Sequence, residues 1–183
     1  MEELDQYNKF QKRMAERFPE YFGEDKRYGG FAIGEGWYHI IEALCANIQS
    51  HMKWKEQNRQ RAIELFTARE RGLEALIAFY QGKSKQPSDW DIVRAEETMA
   101  EGVIIPPEVP PIEIQQIKEK FGGLRFYYEG GDEYVSGLVT MAESWASRSC
   151  ERCGDIGEQR GGGWIRTLCH IHEEEYQTRK QNV

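Results

Sequence analysis

The sequence predicts an α+β protein with a helical N-terminal body, a β-hairpin plus helix, and a small cysteine-bearing ribbon near the C-terminus. Two apolar stripes between residues 37 and 80 have the three- and four-residue spacing of amphipathic helices. Residues 112–129 alternate imperfectly between apolar and polar side chains around a Gly-Gly pair, as expected for a hairpin. We therefore divide the chain into a mainly helical region, residues 1–111, and a hairpin, helix and ribbon module, residues 112–183.

The N-terminal body is predicted to begin with a helix from Asp5 to about Arg17. Its apolar face has four-residue spacing and consists of Phe10, Met14 and Phe18. Residues 28–36 contain four glycines and are predicted to form a loop. A long helix then starts at Trp37, with an apolar stripe made of Trp37, Ile40, Ile41, Leu44, Cys45, Ile48 and Met52.

The middle of the chain is predicted to be helical with one ambiguous stretch. Residues 53–61 are almost wholly polar, which fits either an exposed part of one long helix or a break between two. A second apolar stripe follows from Ala62 to Tyr80 and ends near Gly82. Ser88 is predicted to cap a short helix that runs to about residue 100. Residues 103–111 contain four prolines and are predicted to form an extended connector.

The β-hairpin is predicted over residues 112–129, with its turn at Gly122–Gly123. The alternation changes side near Gln115–Gln116, which indicates a β-bulge. Asp132 is predicted to cap the next helix. The apolar stripe of that helix consists of Val135, Leu138, Val139, Ala142, Trp145 and Ala146.

The ribbon carries the strongest chemical signal, a Cys-x2-Cys pair and a Cys-x2-His pair separated by fifteen residues. Two close pairs joined by a short excursion are typical of a tetrahedral structural zinc site. The predicted ligands of one Zn²⁺ are Cys150, Cys153, Cys169 and His172, with His170 as the alternative fourth ligand. Gly161–Gly163 is predicted as the hairpin tip and residues 164–168 as the strand that delivers the second pair. Four protein ligands leave no position for a catalytic water, so we expect a structural metal.

Composition limits the function classes. The 183-residue chain has a formal net charge of −7 and an acidic surplus in both regions, which disfavours general nucleic-acid binding. No apolar run is long enough for a membrane span, and the N-terminus has no apolar signal core. We expect a cytosolic protein with reduced cysteines, which favours metal over disulfides.

Residues 118–128 mix cations, a glycine turn and aromatic side chains, which suggests a recognition surface. Cations there would bind phosphate while an aromatic ring stacks on a base or on a ring of a partner. The alternative is that Phe126 and Tyr128 pack on a helix while their neighbours face solvent. The candidate ligand- or partner-binding residues of the hairpin and ribbon are Lys118, Lys120, Arg125, Tyr127, Trp164 and Arg166.

Several of these segments resemble uncharacterised proteins encoded by tailed bacteriophages and prophages. The residues that carry the resemblance are Gly36–Tyr38, Ile117–Tyr127, Gly130–Asp132, the Cys150/Cys153 pair and Gly162–Cys169. It covers about residues 30–55 and 112–176, and it marks 56–111 as an insertion. The resemblance implies a phage accessory protein acting in the cytoplasm of a bacterial host, and such proteins often inhibit host antiviral defence.

Three functional hypotheses follow. The first is a non-enzymatic binding protein that sequesters a host protein or a small nucleotide ligand. The second is a nucleic-acid-binding regulator that uses Lys118, Lys120, Arg125, Arg160 and Arg166. The third is a small hydrolase with its site near His39, which ranks last because no catalytic set is visible. The sequence does not decide the oligomeric state.

Overall fold

A computed structural model of the protein describes residues 2–24, 26, 29–161 and 164–181. The helices are α1 (Glu2–Arg17), α2 (Pro19–Phe22), α3 (Tyr38–Glu70), α4 (Leu73–Gln81), α5 (Asp89–Glu101), α6 (Glu133–Ala146) and α7 (His170–Gln181), with a 3₁₀ turn at Glu35–Trp37. The strands are β1 (Phe31–Ala32), β2 (Glu113–Lys120), β3 (Gly123–Glu129), β4 (Glu158–Arg160) and β5 (Arg166–Leu168). The α+β class, the hairpin plus helix and the cysteine-bearing C-terminal ribbon are confirmed. Within the described ranges, no helix combines the length and apolar content that crossing a bilayer requires.

The chain forms two compact units. Met1–His51 and Pro110–Val183 make the first, and Met52–Val109 make the second. The region 1–111, predicted as one helical body, is therefore shared between the units. The sequence range of the second unit, Met52–Val109, nearly coincides with the segment 56–111 that the resemblance marks as an insertion. The assignment of this segment as an insertion remains a prediction.

The sheet of the first unit has the strand order β1-β2-β3. Strands β2 and β3 form the predicted antiparallel hairpin, and the register shifts between Ile114 and Gln116, where the bulge was expected. Strand β1 pairs in parallel with β2, with Phe31 opposite Ile117. The loop prediction for residues 28–36 was therefore wrong at Phe31–Ala32, while Tyr28 lies outside the described residues.

The core of the first unit is formed by the apolar faces that the helical periodicity predicts. Phe10, Met14 and Phe18 on and just after α1 are buried, and the Phe10 ring stacks on Tyr38 at a centroid distance of 3.9 Å. Burial of one such side chain contributes about 1.5–3 kcal/mol. The buried residues of the first half of α3 are Ile40, Ile41, Leu44, Cys45 and Ile48.

Helix α6 begins at the predicted cap, where the Asp132 carboxylate accepts a hydrogen bond from the Val135 amide at 3.2 Å. The same carboxylate lies 2.9 Å from Nε2 of His51, a contact that nothing in the local sequence indicated. The predicted apolar stripe of α6 is largely buried, but Trp145 is half-exposed. Trp145, which the prediction placed in the apolar stripe, is therefore only partly buried.

The second unit contains the end of α3, α4 and α5. The polar stretch 53–61 is an exposed part of one long helix rather than a break. The helical path instead breaks inside the second predicted apolar stripe, at Gly72, whose φ of +103° favours glycine. Ser88 caps α5 with a reciprocal capping box. The Arg69 guanidinium donates to the carbonyls of Thr98 and Met99 at 3.2 and 3.0 Å, which satisfies the C-terminal end of α5.

Candidate metal centre

The ribbon brings the two predicted ligand pairs together. Strands β4 and β5 are antiparallel, with Glu158 opposite Leu168 and Arg160 opposite Arg166. The second strand is shorter than predicted, because Trp164 and Ile165 precede it. The predicted glycine tip falls partly on residues 162 and 163, which lie outside the described residues. Cys169 follows β5 directly, and His172 lies in the first turn of α7.

The ligand atoms of Cys150, Cys153, Cys169 and His172 all lie within 4.8 Å of one another. The Cys153 and Cys169 sulfurs are 3.8 Å apart, and His172 Nδ1 lies 3.3 Å from the sulfurs of Cys150 and Cys169. Metal–sulfur bonds of about 2.3 Å in a tetrahedron place two sulfurs about 3.8 Å apart, whereas a disulfide requires about 2.05 Å. These four residues, which we call the metal set, can therefore hold one metal ion.

The structure distinguishes the two histidines that the sequence left open. His170 is exposed, and its Nε2 lies 3.1 Å from the Glu174 carboxylate on the next turn of α7. His172 instead directs Nδ1 at two of the sulfurs. The preference for His172 as the fourth member is confirmed.

The hydrogen bonds around the Cys150 thiol favour its deprotonated form. Burial raises the pKa of Cys150, but hydrogen bonds from the backbone amides of Cys169, Arg152 and Cys153, together with His172, outweigh it and lower the pKa to about 7. Because the thiolate is the form that binds metal, these donors favour ion binding.

The first ligand pair forms a knuckle, residues 150–154, that closes with a hydrogen bond from the Gly154 amide to the Cys150 carbonyl at 2.8 Å. Gly154 has a φ of +84°, a conformation that glycine adopts without strain. The Cys150 amide in turn donates to the Asp155 carbonyl at 2.7 Å. The turn chemistry of the sequence therefore fixes the direction of both cysteines.

The knuckle packs against backbone that lies more than a hundred residues earlier. The Gly36 amide donates to the Glu151 carbonyl at 3.0 Å. A Cβ atom added to Gly36 would lie 2.1 Å from the Cys150 carbonyl oxygen, and one added to Gly34 would lie 2.0 Å from the Glu151 oxygen. Both positions therefore need glycine because of close backbone approach, not because of φ.

Two further contacts fix the ribbon. The buried Trp37 indole donates from Nε1 to the Ser149 carbonyl at 2.7 Å. The Thr167 hydroxyl on β5 donates to the carbonyl of Gly122 in the hairpin turn at 2.5 Å. The glycines and the tryptophan at residues 34–37 are evident in the sequence, but nothing in the sequence indicated that they pack against residues 149–154.

The predicted binding residues of the hairpin share one face of the sheet. In the strand register Lys118 lies opposite Arg125, and Gln116 lies opposite Tyr127. Because side chains alternate along a strand, Lys120 lies on the same face. The Lys118 ammonium lies 5.0 Å from the centroid of the Tyr127 ring. On the opposite face Phe126 is buried, and the Tyr128 hydroxyl donates to Ser136 of α6 at 3.2 Å. This packing agrees with the alternative interpretation for Phe126 and Tyr128, and a binding role for the other face remains a prediction.

The two predicted binding residues of the ribbon are Trp164 and Arg166, and Arg166 contacts residues outside the hairpin. Arg166 places its guanidinium 5.2 Å from the centroid of the Tyr176 ring and 3.7 Å from the Glu151 carboxylate. Burial raises the pKa of Glu151, and the Arg166 charge opposes that shift. Trp164 is exposed. The sequence did not single out Arg152, Tyr176 or Arg179, which line a cavity with Arg166.

Comparison of the chain with known protein families, with curated proteins and with solved structures finds no match. The arrangement of the metal set is therefore the main guide to function.

Proposed function

We propose that the chain is a non-enzymatic binding protein in which one Zn²⁺ is a permanent part of the fold. The observation that carries the proposal is the closed geometry of the metal set, in which four protein ligand atoms converge within 4.8 Å. A catalytic zinc usually keeps one position for water or substrate, whereas a structural zinc takes four protein ligands.

The donor types support zinc as the ion. Three thiolates and one imidazole are soft to borderline ligands in tetrahedral spacing, which suits zinc and disfavours magnesium or calcium. The second ligand pair lies beside α7, with the Glu173 amide donating to the Cys169 carbonyl at 3.0 Å. The ion would therefore join the knuckle, β5 and the start of α7, and contribute several kcal/mol to folding.

The surroundings of the set support a scaffold role. The knuckle is held by the backbone of Gly36 and by the Trp37 indole, contacts that fix position rather than deliver a reactive group. His39, the histidine of the hydrolase hypothesis, is exposed. In the part of the chain that the structure describes, its imidazole makes no hydrogen bond or ion pair, and the ring lies edge-on to Trp145 with the ring centroids 6.2 Å apart. A general base usually needs an orienting partner, so the hydrolase hypothesis gains no support.

The partner class is proposed from the resemblance to phage-encoded proteins. On that basis the chain acts in a bacterial cytoplasm and inhibits host antiviral defence by sequestering a host protein or a small nucleotide ligand. The hairpin face with Lys118, Arg125 and Tyr127 is the surface we assign to contact with a host protein.

Native mass spectrometry of protein purified from expressing cells tests the proposal. We expect one zinc per chain together with the mass of a retained ligand or a defined partner. Removal of zinc by a chelator should abolish near-ultraviolet circular dichroism, because the ribbon loses its fixed packing. A metal-free protein with unchanged spectra, or zinc-dependent turnover of a substrate, would contradict the proposal.

The second candidate function is nucleic-acid binding. It is favoured by one observation, the shared sheet face on which Lys118 and Arg125 lie opposite each other beside the exposed ring of Tyr127. Bases stack on such rings while cations neutralise phosphates. Electrophoretic shifts with single-stranded DNA or RNA at low salt, lost as salt rises, would establish this function in place of the first.

A further inference from the structure

We propose that a cavity beside the metal set binds the phosphate group of a small molecule. This inference deepens the proposed function and rests on it, because it supplies the ligand site of a binding protein. The cavity has a volume of about 230 Å³ and is lined by Arg152, Arg166, Leu168, His172, Tyr176 and Arg179. Three arginines thus line one space, and no carboxylate residue is among its lining residues.

The three arginines differ in how many of their side-chain N–H groups already bond or pair with other residues of the protein. Arg152 donates to Glu175 at 2.7 Å, and Arg166 lies 3.7 Å from Glu151. Nε of Arg166 is buried without a hydrogen-bond partner. Within the described ranges the Arg179 side chain makes no hydrogen bond and no ion pair shorter than 4.0 Å. The pKa of Glu175, one turn earlier, is nevertheless lowered by Arg152 and, to a smaller extent, by the charge of Arg179. The cavity therefore offers the N–H donors of Arg179, beside two arginines that carboxylates already hold in place.

The Tyr176 ring orients Arg166. Its guanidinium lies 5.2 Å from the ring centroid, and an arginine that stacks on an aromatic face keeps its in-plane donors for a second contact. Arg166 Nε is buried, so the donors of this residue that can serve a ligand are those on its terminal nitrogens. Phosphate matches the fork of a guanidinium with two parallel hydrogen bonds.

The charge of the metal centre limits the expected affinity. Three thiolates around a divalent ion leave a formal negative charge next to His172, and Glu151 and Glu175 already pair with two of the arginines. Binding therefore depends on directed donors rather than on a large positive surplus. We expect affinity for free phosphate in the high-micromolar to millimolar range.

The size of the cavity indicates that the phosphate belongs to a larger molecule. Sites for whole small molecules span about 300–1,000 Å³, which exceeds this cavity. A neighbouring cavity of about 430 Å³ shares the lining residues Arg152 and His172 and adds Tyr7 and Tyr38. Glu35 and Glu151 also line it, so it suits the uncharged part of a ligand rather than the anion. A phosphate ester can place its anion among the arginines and its remainder against these aromatic side chains.

Isothermal titration calorimetry of the zinc-loaded full chain tests the site. The probes are inorganic phosphate, a nucleoside monophosphate, the same nucleoside without phosphate, and a single-stranded oligonucleotide. We expect binding of phosphate, tighter binding of the monophosphate, and no binding of the nucleoside. R179Q should weaken both interactions by about tenfold or more, the loss expected for a hydrogen bond to a charged group.

Two further variants separate a ligand site from a structural role. R166K keeps the charge but loses the fork, so it should weaken phosphate binding while zinc content stays at one per chain. Arg148, an exposed arginine of the same unit outside the lining, provides the control R148Q, whose affinity should match that of the native chain.

The site proposal is overturned if the native chain binds neither phosphate nor the monophosphate, if R179Q and R166K bind as the native chain does, or if only the oligonucleotide binds. The first two outcomes leave the structural zinc intact and do not touch the proposed function, whereas binding of the oligonucleotide alone would favour the nucleic-acid-binding function in its place. The proposed function fails separately, if zinc removal leaves the fold unchanged.

Discussion

Replacing Gly36 by alanine is expected to damage the metal centre although Gly36 is not a ligand. The added Cβ would lie 2.1 Å from the Cys150 carbonyl oxygen, 2.5 Å from the Gly154 amide nitrogen and 2.8 Å from the Cys153 amide nitrogen. All three are backbone atoms, so no flexible side chain can move away. Ordinary contact begins near 3.4 Å, and the two segments must therefore separate by about 1 Å.

The energetic cost combines overpacking with lost hydrogen bonds. Overpacking a well-packed site costs about 1–3 kcal/mol. Separation also weakens the hydrogen bonds from Gly36 to Glu151 and from Trp37 to Ser149, each worth about 1 kcal/mol. The total is about 3–5 kcal/mol, which lowers the melting temperature of a chain this size by roughly 6–20 °C. Because ligand distances tolerate only about 0.2 Å, zinc affinity should fall as well.

The assay is thermal unfolding by circular dichroism together with competition for zinc against a chromogenic chelator. The matched control is Gly137→Ala, since a Cβ at Gly137 in α6 meets no atom within 4 Å. Alanine is favoured over glycine inside a helix by about 0.5–1 kcal/mol, so the control should be slightly stabilised with unchanged zinc affinity. A G36A protein with the melting temperature and zinc affinity of the native chain would refute the reasoning.

Three further substitutions, and His170→Ala as a control, test the centre and the second unit. His172→Ala should lower zinc affinity more than about a hundredfold, because even the partners of ligands contribute about 10–100-fold, whereas His170→Ala should leave it unchanged. Equal losses in a chelator titration would contradict the assignment. Trp37→Phe should cost about 1–3 kcal/mol in urea unfolding, because the buried Ser149 carbonyl loses its donor; an unchanged midpoint would argue against that bond. Ser88→Ala should destabilise α5 by about 1 kcal/mol, measured as faster amide exchange in that helix with zinc content unaltered; unaltered exchange would mean that the cap contributes little.

Local features of the sequence predicted the elements whose cause is local. The cysteine spacing identified the metal set, the change in alternation located the bulge near Gln115, and Ser88 and Asp132 were recognised as caps. Each depends on residues a few positions apart, so propensity and periodicity are sufficient to find them.

Features that depend on distant partners were not predictable. Strand β1 has two residues in a glycine-rich segment, and it is a strand only because β2 lies beside it. The contact between His51 and Asp132 joins positions 81 apart. The cavity arginines belong to the knuckle, β5 and α7, and only the fold brings them together. Single-sequence patterns do not encode such pairings.

The break at Gly72 was missed for a different reason. Apolar spacing continues across it from α3 to α4, so periodicity alone predicts one helix. A single glycine inside a helical pattern is tolerated often enough that it does not identify a break.

The contact between the Trp37 indole and the Ser149 carbonyl joins positions 112 apart, and it has a consequence for biogenesis. During synthesis the N-terminal segment leaves the ribosome long before the knuckle that covers it exists. Its glycines and indole stay exposed until the last fifth of the chain emerges. Under the proposed function, zinc capture would therefore come late and coincide with closure of the first unit, and the nascent chain would be vulnerable to proteases when zinc is scarce.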